Sequence, residues 1–370
     1  TDISTKPTTV QGLQNIVDSL VDLKSGQLDL DDLKVLGIEL SPNTNKASVG
    51  AINDLILNRG DVTLSNLQEL VTTIEKLNSG ELTDDSNLTA TELAILGFNN
   101  LTPTQVDSIN TAIEANGADV TNKIYNLENI VNIVTQGVDL SLTATQLNTL
   151  GVKYNGTLIT TSTPQAVIDA INEAKISTDV ASNNPTGLQN ISTALYNVNT
   201  PTTTTLTVAN LTALGMNDID GFTNAEVSAI QAILKDPQHL TTTNNIDNLQ
   251  KVINALNDLN GSEASGASNL TTEDFETLGV KFKLTPVSND NGFGLDNVVE
   301  LVNSAINRDT ALDVTNNTSN LQKIVDSIES LFNKFHMVDT DLTNLGIILP
   351  SNMTLKVVNE LLYEPNIICS

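Results

Sequence analysis

The chain has 370 residues, with 17 Lys and Arg against 44 Asp and Glu, a net charge of −27 at pH 7 and a pI near 4.1. Acidity on this scale, spread along the whole chain, excludes nucleic acid and anionic membrane surfaces as partners, and with no apolar run of ~18 residues nothing is built to insert into a bilayer. Aromatics are 3 % of residues, Trp is absent and the one cysteine, Cys369, has no intramolecular partner, so the cores must be built from Leu, Ile and Val without disulfides or stacking platforms.

The predicted elements come in a recurring order. Residues 1–9 read as a leader, without the charged and apolar regions of a secretion signal, as expected of a mature or excised chain. Repeat 1, 10–62, opens with Leu13, Ile16, Val17 and Leu20, whose offsets of 0, 3, 4 and 7 make one apolar face of a helix A. A short helix B follows, capped by Asp29 with Asp32 and closed at Gly37, and a helix C carries Val49, Ile52 and Ile56. Repeat 2, 63–121, has the same helix A in Leu67, Leu70, Val71 and Ile74 and gives the clearest helix B, Leu88-Thr-Ala-Thr-Glu-Leu-Ala-Ile-Leu-Gly97. Thr89 stands at the N-cap with Glu92 three residues on, Leu88 and Leu93 form a hydrophobic staple, and Gly97 supplies the left-handed residue of a Schellman end. Helix C follows in Val106, Ile109 and Ile113.

Repeat 3, 122–182, runs through Leu127, Ile130, Val131 and Val134, the Thr143/Gln146 cap, Gly151, and Ile168 with Ile171. Repeat 4, 183–243, has Leu188, Ile191 and Leu195, then Gly215, then Val227, Ile230 and Leu234. Repeat 5, 244–315, has Leu249, Val252, Ile253 and Leu256, a Thr271 cap with Glu273 and Asp274 nearby, Phe275 at a leucine position, Gly279, and Val299, Val302 and Ile306. Repeat 6, 316–370, closes the set with Leu321, Ile324, Val325 and Ile328, Met337 at a leucine position, Gly346, and Leu355, Val358 and Leu362. Successive A helices start about 54 to 72 residues apart, and the variation falls in Asn/Thr/Ser/Gly stretches such as 198–205 and 260–269, which are loop composition. The fold class is therefore all-α, a tandem array of about six short three-helix repeats, either solenoid-like or beads sharing interfaces. A unit of about 60 residues is near the lower limit for an independent core, so neighbours are expected to share apolar surface.

Three sets of residues stand out. Gly37, Gly97, Gly151, Gly215, Gly279 and Gly346 are expected at positive φ, as structural caps. Asn53, Asn110, Asn172, Gln231, Asn303 and Asn359 interrupt the apolar stripe of helix C at offset 4. An amide there must bond free main chain near the helix-B turn, since an unpaired buried amide costs several kcal/mol. Asp29, Asp31, Asp32, Asp218, Asp220 and Asp290 are the candidate metal ligands, with Ca²⁺ the only cofactor suggested. They do not match a twelve-residue calcium loop: Asp218-Ile-Asp220-Gly221 resembles its middle, but Val227 stands where the bidentate Glu belongs. Asp84 and Asp85 form a further acidic pair.

Catalysis finds little support. His239 and His336 are the two histidines, and no metalloprotease, redox or phosphate-binding motif surrounds them or Gly292-Phe-Gly294. Arg59-Gly60-Asp61 spells an integrin-binding tripeptide, yet Asp119, Asp179 and Asp313 recur at the same place, so Gly60 reads as a helix end and Asp61 as a cap for the next helix. Asn-x-Ser/Thr sequons are frequent, as an Asn- and Thr-rich chain produces by chance, and several fall inside the capping motif itself.

The phrase 88–97, the later Ile109-Asn-Thr-Ala-Ile113 and the Leu-Gln/Glu-x-Ile start of helix A resemble helical repeats of large secreted bacterial surface proteins, adhesin-like or surface-layer-like. The resemblance spans essentially the whole chain, though its motifs encode helix ends rather than chemistry. It implies an extracellular, cell-surface location and a non-enzymatic structural protein. Such a chain assembles with itself into a lattice or filament or, alternatively, forms the stalk or receptor-binding region of an adhesin that meets other cell-surface components. Bridging Ca²⁺ is then one means of offsetting the charge of −27.

Overall fold

The structure, a computed structural model, describes residues 9–42, 44–78, 87–116, 124–136, 140–178, 184–235, 246–265, 269–283, 295–307, 311–332 and 336–363. Those residues are mostly helical, with eighteen helices and one two-stranded hairpin. The chain divides into two compact units, Thr1–Thr193 and Ala194–Ser370.

The first unit contains α1 (Val10–Ser25), α2 (Leu30–Val35), α3 (Lys46–Arg59), α4 (Leu64–Asn78), α5 (Ala90–Ile95), α6 (Pro103–Asn116), α7 (Ile124–Val134), α8 (Ala144–Thr149), β1 (Lys153–Tyr154), β2 (Thr157–Leu158), α9 (Gln165–Ser177) and the start of α10 (Pro185–Asn199). The second holds the rest of α10, then α11 (Val208–Ala213), α12 (Asn224–Leu234), α13 (Ile246–Ser265), α14 (Thr272–Thr277), α15 (Leu295–Ile306), α16 (Thr318–Phe332), α17 (Asp339–Asn344) and α18 (Leu355–Tyr363). Each six-residue helix stands between two longer ones, in the order of the A, B and C segments. Helices A and B pack together as α1 with α2, α4 with α5, α7 with α8, α13 with α14 and α16 with α17, while α3, α6, α12 and α15 pack on the long helix that follows each.

A six-residue helix has too few internal hydrogen bonds to hold itself, so its ends and its core contacts must do so. In α5, Thr89 Oγ1 accepts from Glu92 N at 3.2 Å and Glu92 Oε2 accepts from Thr89 N at 2.7 Å, the reciprocal capping box. Asp29 with Asp32, Thr143 with Gln146, Thr207 with Asn210 and Thr271 with Asp274 form the same box. At α17 the N-cap is Val338, which has no oxygen to offer, and only Asp341 Oδ2 accepting from Val338 N at 2.9 Å remains.

The other end is as regular. Phe98 N donates to Leu93 O at 2.9 Å and Gly97 N to Ala94 O at 3.0 Å, the two bonds of a Schellman end. Equivalent pairs close α2, α8, α11, α14 and α17. The three apolar motif positions, from Leu28, Leu33 and Leu36 through Met337, Leu342 and Leu345, are nowhere more than 6 % exposed. At about 1.5–3 kcal/mol per buried leucine, they supply most of what anchors each short helix.

Among the described residues the hairpin is the one regular element that is not a helix. Asn155 and Gly156 take φ of 53° and 73°, the left-handed pair of a type I′ turn, and set Lys153 opposite Leu158 and Tyr154 opposite Thr157. Asn155-Gly156 is the usual sequence for that turn, but in a loop between helices it reads first as loop composition.

Candidate functional site

The polar side chains of this protein converge on its own backbone. Asn53 Nδ2 donates to Leu28 O at 2.9 Å while its Oδ1 accepts from Leu28 N at 3.0 Å, so one carboxamide satisfies both main-chain groups of the residue that precedes the N-cap of α2. Asn110 does the same to Leu88, Asn172 to Leu142, Asn303 to Leu270 and Asn359 to Met337, all at 2.7–3.2 Å. A carboxamide carries a donor and an acceptor on one planar group, which an ionised Asp or a Leu cannot offer. Asn110, Asn172 and Asn359 are buried; Asn53, Gln231 and Asn303 are half-buried. Gln231, one methylene longer, accepts from Leu206 N and reaches past Leu206 O to donate to Pro201 O and Thr204 O.

A second row of clamps lies on the A helices. Gln68 Oε1 accepts from Glu39 N at 2.8 Å and Gln68 Nε2 donates to Glu39 O at 3.0 Å. Glu39 is two residues beyond Gly37, in the stretch leaving α2. Gln189 grips Lys153, Gln250 grips Asn217 and Gln322 grips Lys281 in the same way, each two residues beyond its glycine. Two turns further along these helices, Glu75 accepts from Ser41 N, Asn257 donates to Asp218 O and Glu329 accepts from Lys283 N. In α7 the place of the glutamine is taken by Glu128, a carboxylate with no N–H to give. The Leu-Gln/Glu-x-Ile signature marked this residue, but a lone polar residue beside an apolar stripe reads as solvated surface, so sequence reasoning missed its role.

The glycines carry the tightest geometry. Gly37, Gly97, Gly151, Gly215, Gly279 and Gly346 have φ between 65° and 101°. At Gly151 an added Cβ would also stand 2.3 Å from Ala115 Cβ of α6, whereas at Gly97 the nearest atom is Arg59 Cδ at 3.6 Å.

Three of the candidate calcium ligands, Asp29, Asp31 and Asp32, make other bonds. Asp29 Oδ1 accepts from Asp31 N and Asp32 N, Asp32 Oδ1 from Ser19 Oγ, and Asp31 pairs with Lys34 at 3.1 Å. Asp218 adopts φ 57° in the bend before Asp220, while Asp290, Asp84 and Asp85 lie outside the described residues. Among the described residues no three His, Cys, Asp or Glu side chains come together in a geometry for a metal. A cleft of about 460 Å³ beside α2, lined by Asp29, Asp31, Lys34, Lys46 and Asn53 among others, has both signs of charge, with Asp31 and Lys34 paired to each other.

Electrostatics follow the caps. Burial pushes the Glu92 carboxyl up, but Thr89 N–H, the Lys76 ammonium at 2.9 Å and the Thr89 hydroxyl outweigh it and hold it below the usual range. The Thr223 hydroxyl beside Glu226, at the N-terminus of α12, lowers that carboxyl, and the Asp32 N–H lowers Asp29. Asp258 moves the other way, raised by burial and by the nearby Asp274.

The Arg-Gly-Asp tripeptide is internally paired: Arg59 Nε and Nη2 donate to the two oxygens of Asp61 at 3.0 Å each. Asp61 therefore does not cap the next helix as expected. The start of α4 is held by Asn66 Oδ1 accepting from Thr63 N at 2.7 Å. Asp313, at the equivalent place, accepts from Thr315 N instead. Lys175 of α9, which no motif marked, is fully buried on the apolar stripe with its ammonium on Leu140 O at 2.6 Å. Two sequon asparagines, Asn260 and Asn316, are bonded to each other at 2.8 Å. His336 is exposed, and His239 lies outside the described residues.

Fold and site together define an all-α protein whose regular polar contacts hold main chain. Among the described residues no helix is long and apolar enough to cross a membrane. Compared with known proteins, the chain matches no family model, no curated sequence and no solved structure.

Proposed function

We propose that this is a non-enzymatic structural protein of the cell exterior, built as a tandem array of six three-helix repeats, that assembles with itself into a surface lattice or filament. The observation that carries the reading is the use made of its polar groups: the same amides, caps and glycines recur from α1 to α18, and each serves to fix the course of the chain. Enzymes gather titratable groups in one cleft and perturb them there. Here three of the perturbed carboxylates, Asp29, Glu92 and Glu226, sit at helix N-termini, and the others, Asp61 beside Arg59 and Asp258 within α13, lie far from them in sequence. Low Lys content, an Asn/Thr-rich surface and cores without disulfides suit an exported scaffold of this kind.

Its test is direct. Purified protein imaged in negative stain, with calcium and with chelator, is expected to form regular polymers, with calcium favouring them by bridging acidic surfaces. Dispersed single molecules in both conditions would contradict assembly and favour the stalk of an adhesin.

A further inference from the structure

Helix α1 differs from every later A helix in what covers it. Val17 is 46 % exposed, and Leu13 and Val21 lie open beside it, whereas Val71, Val131, Ile253 and Val325, at the position of Val17 in their helices, are at most 6 % exposed. Gln14 stands where Gln68, Gln189, Gln250 and Gln322 grip main chain, yet its amide donates to Asp18 Oδ1 at 2.8 Å, on its own helix. At the other end of the sequence α18 shows the converse. Leu362, three residues beyond the carboxamide Asn359, is 50 % exposed, while Ile56, Ile113, Leu234 and Ile306 at that position are at most 5 % exposed. Those four lie on helices that pack against the A helix following them. Ile348, two residues beyond Gly346, is the residue whose counterparts are gripped by glutamine, and it too is exposed.

We infer that α1 of one copy docks on α18 of a second copy, with Gln14 closing on the backbone of Ile348, so that the joint between molecules repeats the contact already made between a C helix and the next A helix. One surface lacks the knob and the other lacks the hole of the same interface, which makes the contact heterologous: each joint leaves a free α1 at one end and a free α18 at the other, and the assembly propagates until it closes. The inference rests on the self-assembly proposed above and names the surface that performs it.

Two substitutions at exposed positions test it without disturbing the fold. Val17→Asp spoils the α1 face and leaves α18 intact; Leu362→Asp does the reverse. In sedimentation velocity, with helicity verified by circular dichroism, the unsubstituted protein is expected to form polymers, each variant alone to remain monomeric, and a 1:1 mixture to form dimers and nothing larger, because one good joint is all a mixed pair can make. Polymers that both variants form as well as the parent overturn this joint while leaving assembly standing. Loss on Val17→Asp alone overturns it in favour of a two-fold contact between α1 faces. An unsubstituted protein that stays monomeric at every concentration overturns the joint and the assembly reading together.

Discussion

The carboxamide of Asn110 replaces water for both main-chain groups of Leu88, in a place water does not reach, since Asn110 and Leu88 are 4 % and 1 % exposed. Asn110→Leu keeps the apolar stripe continuous but leaves a buried N–H and C=O unpaired, which is expected to cost about 2–4 kcal/mol. Hydrogen exchange at the Leu88 amide reads this locally: strong protection in the parent, lost in the variant. Asn53→Leu should cost less, because solvent reaches that half-buried site. Glycine positions differ for a similar reason. Gly97→Ala introduces left-handed strain of about 1 kcal/mol with only ordinary contact to Arg59, whereas Gly151→Ala adds a steric overlap with Ala115 and should lower the melting temperature at least twice as far. Both glycines stood out in the sequence by the same motif. What separates them, the approach of α6, depends on the distance between two helices that no local pattern encodes.

Short helices here are defined from outside. Capping boxes were legible because their partners lie three residues apart, and the A, B and C segments because apolar spacing is local. The glutamine clamps were not, since Gln68 and Glu39 are 29 residues apart and nothing near either names the other. Glu128, at the clamp position of α7, offers a test: Glu128→Gln supplies a donor there and is expected to stabilise by about 0.5–1 kcal/mol, while Gln189→Glu removes a donor facing Lys153 O and should destabilise by about 1–2 kcal/mol. Thermal unfolding of the two variants, moving in opposite directions, checks the assignment. The caps also set a pH response. Asp29, Glu92 and Glu226 have folded-state pKa values below their unfolded ones, so their contribution is fully present above the unfolded pKa near ~4 and is lost as pH falls through the lower folded values. Asp258, raised by burial, opposes folding at neutral pH and relaxes on protonation, partly offsetting that loss. Helicity followed by circular dichroism should therefore hold down to about pH 4 and decline below it, and Glu92→Gln, which keeps an acceptor for Thr89 N, should flatten the decline.

On the scale of the whole molecule, the all-helical character could be read in advance, because apolar spacing and the start and stop signals of each helix are local. Lys175 and the Asn155-Gly156 hairpin could not: each belongs to one repeat only, and a lone departure from a repeating pattern reads as loop or surface. Charge is the other global property. A charge of −27 on every copy opposes association at long range, and the apolar faces of α1 and α18 act only at contact. Added salt shortens the Debye length from about 30 Å at 0.01 M to about 3 Å at 1 M, which removes the repulsion and leaves the apolar contact. The most direct test of self-assembly is accordingly the weight-average mass of the unsubstituted protein, measured by sedimentation in chelator across that salt range. It is predicted to rise steeply with salt and with protein concentration; a monomer mass unchanged over both would contradict the account.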